Sequence, residues 1–596
     1  MKPVEKVDGS TPNAPAWGSD PIAGLLRALD FEFIAFTPGA SFRGLHDSIV
    51  NYLGNTSPRL LLCLHEEHSI SIAHGYARVT GKPMAVALHS NVGLMHATMA
   101  IFNAWCDRVP IMMLGAVGPM DSVQRRPWVD WIHTARDLGA LIRGYTKWDD
   151  HPGSVPAAIE SVLRAHQIAM TLPRGPVYVC LDATLQEQPL TSAPDISNLA
   201  RFRPASPADP ASEAVVEAAA ILTAAKNPVI MIGRVSTDMD DWNRRVQLAE
   251  RLNARVVTDI KTGASFPTTH PLHPHPPGLL IGVEACAMIR EADAIVSLDW
   301  VDLGGSLRQA CQGSWPTARV IQCSLDQYSH NGWSMDYQAL PSADVSFLAN
   351  PDRLVRKLLD VLGPAAPPRP APVSRPAAPL AKEDTSASPG RIGIEAMARV
   401  VTDGLASHNP SYIRLPLSWP GERCRFVHPL DYIGFDGGGG LASGPGMAVG
   451  AALALRGSGR LPVAIVGDGD YVMGVTAIWT AVHYGIPVLI IVANNQSYFN
   501  DELHQERVAR ARQRPVENRW VGLRMNDPPI NMAVLAQGQG AVGLGPVTNT
   551  ADLQTTLADA VDRVRGGATV VIDVHVAPEY SRGISNTLLR KIAGTS

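Results

Sequence analysis

Cysteine is scarce in these 596 residues, and the seven present (Cys63, Cys106, Cys180, Cys286, Cys311, Cys323 and Cys424) form no CxxC spacing. An odd, scattered set excludes a disulfide framework and a zinc ribbon, and a reducing, cytoplasmic setting is the expectation. Charge of one sign is also missing: 51 Lys and Arg stand against 55 Asp and Glu, a net charge of -4. No global basic field invites nucleic acid. No run approaches the roughly 18 apolar residues of a membrane span, so no membrane partner is expected. Residues 1–20 lack the apolar core of a signal peptide and read as a flexible polar arm. There is no repeat of 20 to 50 residues. No HExxH pattern organises His65, His68, His74, His96 and His133. His68 and His74 are six apart and fall on different helix faces, so the spacing argues against a metal cluster and leaves His96 and His133 as pocket-lining candidates.

Chain length implies several domains, because single cores rarely grow past roughly 250 to 300 residues. Over 21–190, strand-like runs (Phe33 to Phe36, Leu60 to Leu64, Met84 to Leu88, Ile111 to Leu114, Val177 to Leu181) alternate with helical patterns. A second α/β unit is expected over 205–362, with PVIMIG, ARVVTDI, DAIVSLD and ARVIQCSLD as strands. The Pro- and Ala-rich stretch 363–390 cannot build a core and reads as a linker. A third unit occupies 391–596. The fold class is therefore α/β, three open, mostly parallel, doubly wound domains, whose ligands sit at strand C-termini. The basic segment Gln505 to Arg524 reads as a solvated helix face without function.

The third unit carries VAIVGDGDYVMGVTAIWTAVHYGIPVLIIVANNQSY, from Val463 to Tyr498. Two apolar runs flank a helical pattern predicted over Met473 to Tyr484, a strand-helix-strand unit with parallel strands. If adjacent, those strands lie about 4.8 Å apart. Asp468 and Asn495, each just past a strand end, can then converge on one hard cation. Gly467 and Gly469 permit close approach of a ligand to the backbone. GDG followed at this distance by NN resembles the diphosphate motif of thiamine diphosphate enzymes. The resemblance implies that Asp468, Asn495 and the Ser497 carbonyl hold Mg²⁺ against the cofactor diphosphate.

The segment LLLCLHEEHSISIAHGYARVTGKP resembles the HE...GYAR..GKP signature of acetohydroxyacid synthases and benzoylformate decarboxylases. That resemblance implies that Glu66, not Glu67, activates the cofactor, whereas the residues alone leave either as a helix N-terminal charge. VALHSNVGLMHATMAIFNAW resembles benzoylformate decarboxylase through LHS and NAW, which implies a proton-transfer role for His89. GFDGGGGLASGPGMAVGAALAL resembles the glycine-rich stretch of both groups. By that likeness Leu441 props the cofactor, with Ser443, Gly467, Gly469, Asp470 and Asn495 also contacting it.

Substrate motifs depart from the pattern. TPGAS puts Ala40 where benzoylformate decarboxylase has Ser, with Ser41 beside it, and DAIVSLDWVDLGG supplies neither the second His nor the Arg of an acetohydroxyacid synthase. Asp470 replaces a small hydroxyl residue and would add charge beside the diphosphate unless it turns to a backbone cap or metal-bound water. The resemblance implies a pyrimidine-binding, a central and a diphosphate-binding domain in chain order. It implies a thiamine diphosphate- and Mg²⁺-dependent decarboxylase or carboligase acting on a small 2-oxo acid or 2-hydroxy carbonyl compound. It further implies a homodimer or homotetramer with sites at the subunit interface. The alternatives are an acetolactate synthase-like transferase or a 2-hydroxyacyl-CoA lyase. A non-catalytic assembly protein is the alternative of another class, opposed by intact Glu66, Asp468 and Asn495. FAD in the central domain stays open, since relatives bind it but no flavin signature stands here.

Overall fold

The computed structural model describes residues 5–9, 11–12, 14–192, 194, 198–326, 339–363 and 390–579. Its strands form three parallel sheets in succession. The first contains β1 (Phe33–Phe36), β2 (Arg59–Leu62), β3 (Met84–His89), β4 (Ile111–Val117), β5 (Trp148–Asp150) and β6 (Val177–Asp182), in the order β2-β1-β3-β4-β6-β5. The second contains β7 (Pro228–Ile232), β8 (Arg255–Thr258), β9 (Ala294–Leu298), β10 (Arg319–Cys323) and β11 (Val345–Phe347), in the order β11-β10-β9-β7-β8. The third contains β12 (Pro410–Arg414), β13 (Leu461–Gly467), β14 (Val488–Asn494), β15 (Val542–Val547) and β16 (Thr569–His575), in the order β12-β13-β14-β16-β15. The α/β doubly wound expectation holds for all three.

Strand alternation explains why each sheet is buried on both faces. On β13, Val463 and Ile465 enter one core while Ala464 and Val466 enter another. On β1, Phe33 and Ala35 share that second core, whereas Ile34 and Phe36 face the opposite side. A single core therefore joins the first and third sheets. Its centre is the packing of the Glu66–Thr80 helix on the Ser443–Ala454 helix. Two glycines set that approach: a Cβ on Gly75 would stand 2.1 Å from the Met447 carbonyl oxygen, and one on Gly450 1.9 Å from that of Ile72. Only hydrogen fits there.

The helix expected over Met473 to Tyr484 is two helices, Asp468–Gly474 and Ala477–Tyr484. The break falls at Val475 and Thr476, where the Thr476 hydroxyl lies 2.8 Å from His68 Nε2. β-Branching and a hydroxyl with a partner outside the helix both favour a break at that point. At the N-terminal arm, a helix already begins at Ser19, and the Glu5 carboxylate lies 3.2 Å from His483 Nε2 and accepts from the Tyr484 hydroxyl at 3.2 Å. Apart from its two ends, the 363–390 linker lies outside the described residues.

Candidate active site

Gly467 pairs with Ala493 across β13 and β14, so Asp468 and Asn495 leave neighbouring strands at the same edge. The Ser497 main-chain N–H draws them together, donating to Asn495 Oδ1 at 2.8 Å and to Asp468 Oδ2 at 3.3 Å. Asp468 Oδ1 also accepts from the Gly469 N–H at 2.9 Å. Despite these bonds, burial pushes the Asp468 carboxyl up to about 6, and it forms no ion pair among the described residues. An uncompensated buried carboxylate beside an amide oxygen is a donor set that suits a hard divalent cation such as Mg²⁺. Asp468, Asn495 and Ser497 share with Leu441, Gly467 and Gly469 a cavity of about 370 Å³. That volume and its mixed lining fit a diphosphate-bearing ligand.

Polar braces hold this loop, and sequence reasoning missed them. The Ser497 hydroxyl donates to Glu502 at 2.6 Å, and Arg524 grips the same buried carboxylate at 2.7 and 2.9 Å. Burial works to raise the Glu502 pKa, but Arg524 and Ser497 hold it below the usual range. Arg391 Nη1 donates to the Asn495 carbonyl at 3.1 Å, and the Asn494 side-chain amide donates to Asp573 at 2.9 Å. The segment Gln505 to Arg524 is thus not a plain solvated face: Arg519 and Arg524 neutralise acids of the Phe499–Ala511 helix, which follows Ser497.

Asp470 and Ser443, expected as cofactor contacts, also meet partners within the protein. Asp470 borders the cavity, yet its Oδ2 lies 2.9 Å from Arg414 Nε and its Oδ1 accepts from the Gly444 N–H at 3.3 Å. The Ser443 hydroxyl, wholly buried, donates to Asp436, which Arg414 Nη1 meets at 2.5 Å. Arg414 therefore answers two carboxylates and compensates the acid that replaces a small hydroxyl residue. Burial pushes Asp436 up to about 6 against the pull of Arg414. The pairing spans 56 positions in sequence, so no local pattern announces it.

A second cluster lies at the C-terminal edge of the first sheet. His65 caps the helix by accepting the Glu67 N–H on Nδ1 at 3.2 Å, and Glu66 follows it at the first helical position. The two adjacent glutamates part company there. Glu66 Oε2 meets His96 Nδ1 at 3.0 Å, beside Gly93, where a Cβ would stand 3.2 Å from Glu66 Oε1. Glu67 is instead pushed up to about 7 by burial and by Asp470. Ligating atoms of His65, Glu66 and His96 lie within 4.8 Å of one another, brought together from the starts of two successive helices. His89, at the end of β3, has Nδ1 2.8 Å from the Ser41 hydroxyl and its ring 4.7 Å from that of His133. Burial, then His133, lowers the His89 pKa against the pull of Glu66. Ser41, rather than Ala40, is the serine brought to this histidine. Neither Glu66 nor His89 lines the Asp468 cavity.

In the central sheet, Asp299 from DWVDLGG is engaged by Arg234, and Asp326 bonds both Arg234 and Arg108. Of these, the Arg108–Asp326 pair joins the first and second units.

Three family descriptions match the chain in order. They are "Thiamine pyrophosphate enzyme, N-terminal TPP binding domain" over residues 16–138, "central domain" over 215–335, and "C-terminal TPP binding domain" over 418–574. Benzoylformate decarboxylase of Pseudomonas aeruginosa is 27% identical over 456 residues, covering 74% of this chain and 79% of that one. Acetolactate synthase large subunit of Haemophilus influenzae is 24% identical over 588 residues, covering 95% and 96%. The crystal structure of benzoylformate decarboxylase from Polynucleobacter necessarius shares the fold, with a TM-score of 0.78 at 23% identity, covering 95% of this chain and 100% of that one.

Proposed function

Because this chain belongs to the thiamine pyrophosphate enzymes, we propose that it uses thiamine diphosphate with Mg²⁺ to cleave or form the carbon–carbon bond beside the carbonyl of a 2-oxo acid, in the manner of a benzoylformate decarboxylase. The observation that carries this reading is the uncompensated Asp468 carboxylate converging with Asn495 at the ends of β13 and β14. Asp468, Asn495 and the Ser497 carbonyl hold the metal, while Gly467 and Gly469 let the diphosphate approach the backbone. Leu441, partly exposed on the cavity wall, supports the bent cofactor. Bound there, the cofactor supplies a nucleophilic carbon and an electron sink for the breaking bond.

Glu66 is the proton donor and acceptor for the cofactor's pyrimidine ring, since its carboxyl is buried at a strand edge while Glu67 faces Asp470. His89, neutral through burial and oriented by Ser41, moves protons at the substrate. Neither Glu66 nor His89 lines the Asp468 cavity, and a homodimer or homotetramer in which each site combines the first unit of one copy and the third of another would bring them to it.

The test loads the enzyme with thiamine diphosphate and Mg²⁺ and offers 2-oxo acids, 2-hydroxy ketones and acyl-CoA compounds. Carbon dioxide and aldehyde are scored separately. Carbon dioxide from a 2-oxo acid, lost in Glu66→Gln, is the expected result. Aldehyde without carbon dioxide would replace the decarboxylase reading with a lyase, and full activity of Glu66→Gln would remove the assigned mechanism.

A further inference from the structure

His133 has no part in the mechanism so far, yet the chain is built to bring it to His89. Strands β3 and β4 are neighbours, with His89 level with Ala116, and the segment that leaves β4 returns to the end of β3. Its course is pinned at several points. Asp130, 2% exposed, accepts the Arg126 main-chain N–H at 2.7 Å and Arg126 Nη2 at 2.7 Å, and a Cβ on Gly118 would stand 2.5 Å from Thr134 Oγ1. Asn91 Nδ2 donates to the Ile132 carbonyl at 3.1 Å, and the Ser90 hydroxyl donates to the His133 carbonyl. The two residues after His89 therefore hold the backbone at His133.

The outcome is two imidazoles with ring centroids 4.7 Å apart and planes inclined at 57°. Ser41 occupies Nδ1 of His89, at 2.8 Å, which leaves Nε2 for a ligand. Among the described residues, the half-buried ring of His133 has no hydrogen-bond partner at either nitrogen, although its backbone is anchored. The fold fixes the position of this ring without using its nitrogens.

We propose that His133 is a specificity residue of the substrate site, donating an N–H to the carboxylate of a 2-oxo acid while His89 faces the adjacent carbonyl. This deepens the decarboxylase reading and rests on it. The two acceptor groups of a 2-oxo acid sit on bonded carbons about 1.5 Å apart, so one small molecule can meet both rings. An imidazole keeps at least one N–H whether neutral or charged, and the bond needs no particular protonation state of His133. A hydrogen bond to a charged acceptor is stronger than one to a neutral oxygen. Esters and acyl-CoA thioesters have no free carboxylate at that position, so His133 favours the acid over both.

Two measurements on the full chain, loaded with thiamine diphosphate and Mg²⁺, test this assignment. The first is calorimetric titration with mandelate and lactate, 2-hydroxy acids that offer no carbonyl to attack, and with their methyl esters. Wild type is expected to bind at least one acid about tenfold more tightly than its ester. His133→Leu is expected to abolish that preference with ester binding within about twofold of wild type, whereas His133→Asn, which retains an N–H donor, keeps the preference within about threefold. The second is steady-state kinetics with a 2-oxo acid that yields carbon dioxide. There His133→Leu is expected to raise KM about tenfold with kcat within about threefold. No acid preference in wild type, a preference that survives His133→Leu, or its full loss in His133→Asn overturns the proposal. Equal loss of acid and ester binding in His133→Leu also overturns it and marks a structural role. If no 2-oxo acid yields carbon dioxide while His133→Leu abolishes the acid preference, the decarboxylase reading falls and the carboxylate contact stands; if carbon dioxide is released and the preference survives, only the role of His133 falls.

Discussion

Replacing Arg414 by Met removes the cation that answers both Asp436 and Asp470 while keeping an unbranched apolar stem over Phe435. Both acids are nearly inaccessible, at 1% and 3% exposure. Held at about 6 instead of 3.8, ionised Asp436 already costs the folded state about 3 kcal/mol at pH 8 even with Arg414 in place. Deleting the partner leaves two buried carboxylates facing each other. The expected loss is roughly 3 to 5 kcal/mol at pH 8. The lost cation–π contact with Phe435, whose ring centroid is 4.3 Å from the guanidinium carbon, adds about 0.5 to 1 kcal/mol. The sign of the pH dependence follows from the raised pKa of Asp436. The folded state binds its proton more tightly than the unfolded chain does, so the cost is present above about 6 and relieved as pH falls toward 3.8. Urea unfolding followed by tryptophan fluorescence at pH 5.5 and pH 8 measures both effects. The loss should be larger at pH 8, and the triple variant Arg414→Met, Asp436→Asn, Asp470→Asn should recover most of it. A loss under about 1 kcal/mol that is equal at both pH values would show that the three side chains do not form a charge-compensated unit.

Asp468→Asn should weaken Mg²⁺-dependent binding of thiamine diphosphate by about 100-fold in a fluorescence titration, or roughly 2.7 kcal/mol. Because burial alone raises this acid, the same substitution should leave apo stability at pH 8 unchanged or higher; a fall would point to a structural role instead. Glu67→Gln removes an acid lifted from its usual 4.5 to about 7, whose ionisation costs stability progressively as pH rises through that window. Allowing for its partial exposure, the variant should be more stable by about 1 to 2 kcal/mol at pH 8 and equal to wild type near pH 4, as thermal unfolding at the two pH values would reveal. Gly75→Ala drives a methyl group into the Met447 carbonyl, and urea unfolding should show a loss of about 1 to 3 kcal/mol. A neutral result would mean that the two helices can separate without cost.

Much of the site was legible because its signals are local. Val463 to Val466 and Val488 to Ala493 are apolar on both faces, which demands buried parallel strands, and a short helical connection makes them neighbours. Asp468 and Asn495 then had to meet. The strand ends before Glu66 and at His89 were readable in the same way. The single helix expected over Met473 to Tyr484 failed because Thr476 finds its partner in His68, more than four hundred positions away in the chain.

The sequence by itself determined the three sheets, the convergence of Asp468 and Asn495 at neighbouring strand ends, and the family, because these rest on strand periodicity and on short motifs whose residues lie within one strand-turn-helix unit. Only the tertiary structure decided which of two adjacent glutamates meets His96, where Asp470 sends its charge, and which serine reaches His89. It also revealed that Arg524 braces Ser497 through Glu502. Each of those outcomes is a pairing between separate elements. Such pairings follow from how the Glu66–Thr80 and Ser443–Ala454 helices pack and where loops close, quantities that a linear pattern of side chains does not contain.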